Sequence, residues 1–241
     1  MTTLIGVPGS HPSLAAELML RHKGIAYRRF DLPNGANRYI LPLLGFDVRT
    51  VPVMRLDGER VTTTRRIARA LEARQPDPPL FPDEARTAVE TAEAWADDEL
   101  QEGVRRVARW ATGEDPQSMA TFLDGVHMGL PVGVVRASLP VVGPVVRAQL
   151  KTPRAVAETA ARALREQLDR VDALLAEGVI GGAQPNAADF QVATSVRLMM
   201  LFDQLREPIA ARPAGAHARR ICPDYPGRFG PVLPEAWIAQ M

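Results

Sequence analysis

One cysteine, Cys222, stands in a chain of 241 residues. Without a second thiol there is no intrachain disulfide, no cysteine-based metal cluster and no C-x-x-C redox pair. The four histidines, His11, His22, His127 and His217, never fall at a metal-ligand spacing such as H-x-x-x-H, so no metal is expected. Lysine occurs only at Lys23 and Lys151, and arginine carries almost all the positive charge. An excess of one sign is also missing. The 29 basic and 28 acidic residues leave +1, which gives no strong global field toward nucleic acid or membrane. There is no G-x-G-x-x-G or Walker loop for a nucleotide, and no G-x-S-x-G elbow for a hydrolase.

Long uninterrupted apolar runs are absent as well. The most apolar stretch, MGLPVGVVRASLPVVGPVVRAQL at 128–150, is broken by Arg136, Arg147 and three prolines. It reads as a buried, proline-kinked helix and not as a membrane span. The start, MTTLIGVPGSHPS, has no basic segment leading into a long apolar one, so no signal peptide is expected. The expectation is a soluble, cytoplasmic chain, with no nucleic-acid or membrane partner.

What is present has ordinary globular proportions, 46% apolar and 24% charged. The first eighty residues alternate in type. Thr3–Val7 reads as a strand, and Ser13–Lys23 as a helix with Leu14, Leu18 and Leu20 on one face, ended by Gly24. Ile25–Asp31 alternates like a strand. The loop at 33–50 carries a helical turn near 38–44. Val51–Leu56 and Glu59–Thr62 are strands joined by the hairpin turn Asp57-Gly58, and Thr64–Arg74 is helical. This is a small α/β domain over 1–74. The segment 75–85, with its PDPPLFP, reads as a linker. Residues 86–241 read as an all-helical domain, with strong periodicity over Glu84–Ala111, Pro153–Glu177 and Asp189–Arg206. Pro208–Met241 reads as coil with short helices packed over the body.

Few local patterns carry chemistry. In GVPGSHPS, Ser10 and Ser13 sit where a helix begins. Two hydroxyls there are ordinary capping groups, or a place to hold a sulfur or an anion. His11 could border the same place. In TVPVMRLDG, Pro52 within a strand belongs at an edge or at a cis bond. Thr63 or Thr64 can cap the following helix, whose free N–H groups suit a carboxylate. Asn186 and Asp189 form an N-capping box, a structural pattern without catalytic meaning.

Together these pieces resemble the glutathione transferase superfamily, most closely its zeta and other serine-type classes. The resemblance rests on IGVPGSHPSLAAELMLRHKGIAY, TVPVMRLDGERVTTTRRIARALE, the PDPPLFP linker and GGAQPNAADF, in that order along nearly the whole chain. It implies a thioredoxin-like N-terminal domain followed by an all-helical C-terminal domain. It implies a homodimer that adds a thiol to a small-molecule electrophile, or uses that thiol in isomerisation. It makes Ser10 the hydroxyl that donates to the glutathione sulfur, with Ser13 as its rival. It implies a cis Val51-Pro52 bond, with the Val51 backbone pairing the cysteinyl part of the tripeptide. Thr63-Thr64 falls where the family has Glu or Gln followed by Ser, the pair that holds the γ-glutamyl amine and carboxylate. Thr64 keeps the hydroxyl, while Thr63 lacks the carboxylate or amide. That departure leaves open a different low-molecular-weight thiol, or a non-catalytic binding protein on the same fold. The second-substrate pocket of the family points to Trp95, Arg105, Arg106 and Trp110, roofed by PVGVVRASLPVVGPVVR.

Overall fold

The computed structural model describes residues 1–129 and 131–241. Leu130, part of the apolar stretch expected to be helical, lies outside the described residues, as does the Arg147 side chain. The N-terminal half contains β1 (Thr2–Gly6), α1 (His11–His22), β2 (Tyr27–Asp31), α2 (Asn37–Leu43), β3 (Val53–Leu56), β4 (Glu59–Thr62) and α3 (Thr64–Arg74). The sheet order is β2-β1-β3-β4. β1 and β2 are parallel, and β3 runs antiparallel to both β1 and β4. Asp57 and Gly58 both take positive φ, +49° and +96°, as a tight hairpin needs. β3 starts at Val53 and not at the expected Val51, because Pro52 has no N–H to give to a ladder.

Strand alternation places the two faces. Leu4 and Met54 are paired in register and face Met19 and Leu20 of α1 and Ile67 and Leu71 of α3. Their neighbours Ile5 and Val53 face the other way, onto Leu32, Leu41 and Phe46 beside α2. A one-residue slip would exchange these sets, so burial on both faces fixes the register.

The connection to the helical half is held by a buried charge. The Lys23 ammonium is fully buried. It pairs with Glu72 and donates to the carbonyls of Pro76 at 3.0 Å and Pro78 at 2.6 Å. Glu72 in turn accepts the N–H groups of Leu80 at 2.9 Å and Phe81 at 3.3 Å. One ion pair therefore ties the ends of α1 and α3 to the chain that leads into the next helices.

Those helices are α4 (Arg86–Trp95), α5 (Gln101–Glu114), α6 (Ser118–Thr121), α7 (Val132–Leu150), α8 (Arg154–Ala176), α9 (Ala187–Met199), α10 (Asp203–Ala210), α11 (Pro213–Ile221) and α12 (Glu235–Ile238). The helix expected over Glu84–Ala111 is α4 and α5 joined by one wide π turn, Ala96–Leu100. Its apolar stripe explains the turn. Ala92, Ala96, Leu100 and Val104 repeat every fourth residue and all are buried. In a plain α-helix each such step drifts by about 40° around the axis, and a π turn takes up the surplus.

Two further expectations change. The helix expected over Asp189–Arg206 stops at Met199, and α10 begins at Asp203. Phe202 is captured there by the C-terminal segment. It stacks on Phe229 with ring centroids 4.4 Å apart, and Phe229 exchanges backbone hydrogen bonds with Leu201 and Asp203. The stretch expected to be a buried helix forms α7 but is covered on one side only. Val146 is buried, whereas Val134 and Val141 are 54% and 79% exposed. Among the described residues no helix is long and apolar enough to cross a membrane.

Lys23→Met should lower the unfolding free energy by about 3 kcal/mol, since it strands a carboxylate in a buried network. Urea denaturation of the two proteins measures it. A loss under about 1 kcal/mol would show that Glu72 and its N–H partners hold the connection unaided.

Candidate functional site

β1 ends at Gly6, and the chain turns through Val7-Pro8-Gly9 into α1. Gly9 takes φ +71°, where a side chain would be strained. A Cβ there would also meet the Phe122 ring at 2.7 Å. Ser10 is the N-cap of α1, extended at φ −80°, ψ 106°. Its Oγ accepts the Ser13 N–H at 3.3 Å and the Ser13 hydroxyl at 2.8 Å. With both of those groups donating, the Ser10 proton is left for another acceptor. Ser10 lines an open cleft, while Ser13 is fully buried behind it.

The turn is supported from the far end of the chain. The buried Tyr225 donates its hydroxyl to the Gly9 carbonyl at 2.8 Å. Burial pushes the Tyr225 hydroxyl well above its ordinary range, so it stays protonated and remains a donor. Phe122 sits between Gly9 and Gly227 and packs against Phe229, ring centroids 5.2 Å apart.

The cleft has a volume of about 510 Å³. Its N-terminal wall is Ser10, His11, Val51, Pro52, Thr63 and Thr64, and its opposite wall includes Asp97, Gln101, Arg105 and Arg109. The Val51-Pro52 bond is cis, and the Pro52 carbonyl accepts the Thr63 N–H at 3.2 Å. Thr63 holds φ +66°, ψ 148° and caps α3 through Oγ1, which accepts the Arg66 N–H at 3.4 Å. Such a backbone costs a non-glycine residue on the order of 1–3 kcal/mol. Thr64 is buried at the first position of α3.

The charge of the cleft is one-sided. Arg38, Arg49, Arg105 and Arg109 line it, and among the described lining residues Asp97 is the one acid. Glu102 is shared by Arg105 and Arg106. Arg109 has no carboxylate partner among the described residues, and burial and then Arg105 push its guanidinium below the usual range. Burial, then Asp98, pushes the Asp97 carboxyl up, and Gln101 Nε2 donates to it at 2.8 Å. His11 is buried, with Nε2 lacking a partner among the described residues. Burial first, then Arg105, holds its ring well below the ordinary histidine range, so it is neutral near pH 7.

The residues expected from the sequence therefore separate. Ser10, His11, Val51, Pro52, Thr63, Thr64 and Arg105 come together on one cleft. Trp95 does not reach it, being buried with the Arg170 guanidinium 4.5 Å from its ring centroid. Arg106 is exposed and pairs with Glu102 at 2.9 Å. Trp110 packs on Trp237, centroids 4.7 Å apart, and lines a different cavity. The helix phase decides this: on α5, positions 105 and 109 share the cleft face, four residues apart, and 106 and 110 do not. Asp97, Gln101, Arg109, Arg38 and Arg49 were not anticipated. A legible signal for Asp97 was the strict four-residue apolar repeat around it, which the wide turn accommodates.

Tyr225→Phe should lower stability by about 1 kcal/mol, because the Gly9 carbonyl loses its donor. It should also speed amide exchange at Ser13, the N–H held by Ser10. Exchange at Ser13 equal to that of the unaltered protein would show that the turn holds itself.

Residues 4–79 match the family of glutathione S-transferase N-terminal domains. No curated protein sequence matches the chain. Solved structures match nearly end to end. A glutathione S-transferase from Rhodospirillum rubrum has 16% identity and a TM-score of 0.59, over 99% of this chain and 98% of that one. One from Methylobacillus flagellatus, solved with glutathione bound, has 21% identity and a TM-score of 0.59, over 91% and 93%. One from Sinorhizobium meliloti has 16% identity and a TM-score of 0.61, over 94% and 96%. Residues 4–79 thus match the glutathione S-transferase N-terminal domain, and the chain as a whole shares the fold of these solved structures.

Proposed function

We propose that this protein is a thiol transferase of the glutathione type, with the cleft at the start of α1 as its thiol site. The observation that carries the reading is the Ser13 hydroxyl and N–H both donating to Ser10 Oγ, which leaves the Ser10 proton for a sulfur. A free thiol ionises near pH 8.5. An O–H donor, the positive end of α1 and Arg109, which has no carboxylate partner among the described residues, all favour the thiolate over the thiol. The thiolate then attacks an electrophilic carbon. The new S–C bond forms as the leaving group departs with its electron pair or, in addition to a double bond, as a proton from water reaches the neighbouring carbon.

The donor set of the cleft fits glutathione itself. Its two carboxylates need cations or N–H groups, and Arg38, Arg49 and the start of α3 at Thr64 offer both. Its ammonium needs an acceptor. Thr63 has no carboxylate, but Asp97 lines the same cleft from the other half of the chain. Asp97 would take the role that the family gives to Glu or Gln. His11, neutral and uncharged, would border the sulfur without competing for it.

Calorimetric titration with glutathione tests the site. Binding in the micromolar to low millimolar range is expected. Asp97→Asn should weaken it about tenfold, the effect of losing one charge-assisted contact. Silence with glutathione but binding of another cellular thiol would move the reading to that thiol. Silence with every thiol would leave a binding protein on the transferase fold.

A further inference from the structure

The sheet has an open edge at β2. In the order β2-β1-β3-β4 this strand is outermost and is paired on one side only, by β1. Backbone groups alternate in direction along a strand. The Leu32 N–H reaches the Gly6 carbonyl at the end of β1, at 2.9 Å, while the Asp31 N–H points the other way, to the His127 carbonyl at 3.0 Å. Two residues back, the Arg29 N–H and carbonyl therefore also point away from β1, and among the described residues they have no backbone partner. The chain at 126–129 pairs the edge at Asp31 alone. The His127 N–H turns to the Asp31 carboxylate, at 3.0 Å, and not to a backbone carbonyl. Alongside the bare stretch of β2 lies a cleft of about 620 Å³, which shares no described lining residue with the thiol cleft.

The walls of this second cleft are basic. Arg21, Arg28, Arg29 and His127 line it, and Glu17 is the one acid among the described lining residues. Glu17 is already engaged: it accepts the Tyr27 hydroxyl at 2.6 Å and pairs with Arg21 at 2.7 Å and with Arg29. Arg28 is exposed and has no carboxylate partner among the described residues. Strand alternation puts Tyr27 and Arg29 on the α1 side of the sheet and Arg28 and Phe30 on the α2 side. Cations therefore flank the edge on both faces.

We infer that this edge takes an extended acidic peptide of another protein as a fifth strand. Main-chain hydrogen bonds to Arg29 give the affinity, and acidic side chains beside Arg21 and Arg28 give the selectivity. The same arginines repel a second β2 edge, so the strand is kept from pairing with a copy of itself.

The test uses three fluorescein-labelled hexapeptides on the intact protein, read by anisotropy. One alternates Glu and Thr, the second replaces each Glu by Lys, and the third is the acidic peptide with alternate backbone amides methylated. The acidic peptide should bind at least about tenfold more tightly than the Lys peptide, the size of one charge-assisted contact. Methylation, which removes main-chain donors, should weaken it about fivefold or more. Arg28→Glu should weaken the acidic peptide about tenfold with an unchanged melting temperature, and Arg28→Gln should remove part of the affinity if the first variant folds poorly. Amide exchange followed by NMR reads the edge directly. The acidic peptide should slow exchange at Arg29 about fivefold or more and leave Phe30, whose N–H already faces β1, unchanged. Equal binding of the three peptides overturns the proposal, as does an Arg29 amide that the acidic peptide leaves unprotected. Free glutarate competing as well as the acidic peptide would make the cleft a simple anion pocket and overturn the added strand.

Discussion

The hydrogen bond from the Ser13 hydroxyl to Ser10 Oγ, 2.8 Å long, orients the hydroxyl on which the proposed chemistry rests. A lone serine at a helix start can turn its proton either way. Here two donors from Ser13 occupy the oxygen, and the proton is directed outward. Everything nearby protects that arrangement. Gly6 has no Cβ to strike Ser13, which would lie 3.0 Å away. Gly9 takes a backbone shape closed to most residues, with Phe122 against it and Tyr225 bonded to its carbonyl. Residues more than two hundred positions apart thus converge on one turn, and the helical half of the chain acts as a brace for the start of α1.

The second constraint is electrostatic. Among the described residues that line the cleft, four arginines stand against one aspartate; Arg105 is paired with Glu102, and the cations without a carboxylate partner beside low-dielectric walls favour an anion. The single wide turn between α4 and α5 places Asp97 on the same wall as Arg105 and Arg109. It keeps the apolar stripe in phase and presents an acid to a basic cleft in one step.

Much of this was legible in the sequence where local chemistry decides. The hairpin at Asp57-Gly58, the strand Glu59–Thr62, the helix Thr64–Arg74 and the capping box at Asn186 follow from turn residues, alternation and caps, and each forms where expected. Ser10, Val51 and Thr64, which line the cleft, are marked in the sequence by a helix start and a strand proline. What escaped depends on long-range packing. Phe202 ends α9 because Phe229 stacks on it from the C-terminal segment. α7 has one exposed side because nothing in the described chain covers it, a fact invisible in its composition. Trp95 and Trp110 lie on helices near the cleft, but one residue step on a helix turns a side chain by about 100°, and proximity in sequence did not give their facing. Arg38 and Arg49 sit in a loop whose course no periodicity predicts.

The most direct measurement is the ionisation of the bound glutathione thiol, followed by ultraviolet absorbance of the thiolate against pH. The unaltered protein, Ser10→Ala and Ser13→Ala would be compared. The account predicts ionisation below the free thiol's value of about 8.5. Ser10→Ala should return it upward by about one pH unit or more, the worth of a hydrogen bond to a charged group. Ser13→Ala should lose part of the shift, because only the Ser13 N–H then holds Ser10 Oγ. A Ser10→Ala protein whose bound thiol ionises as in the unaltered protein would contradict the central claim.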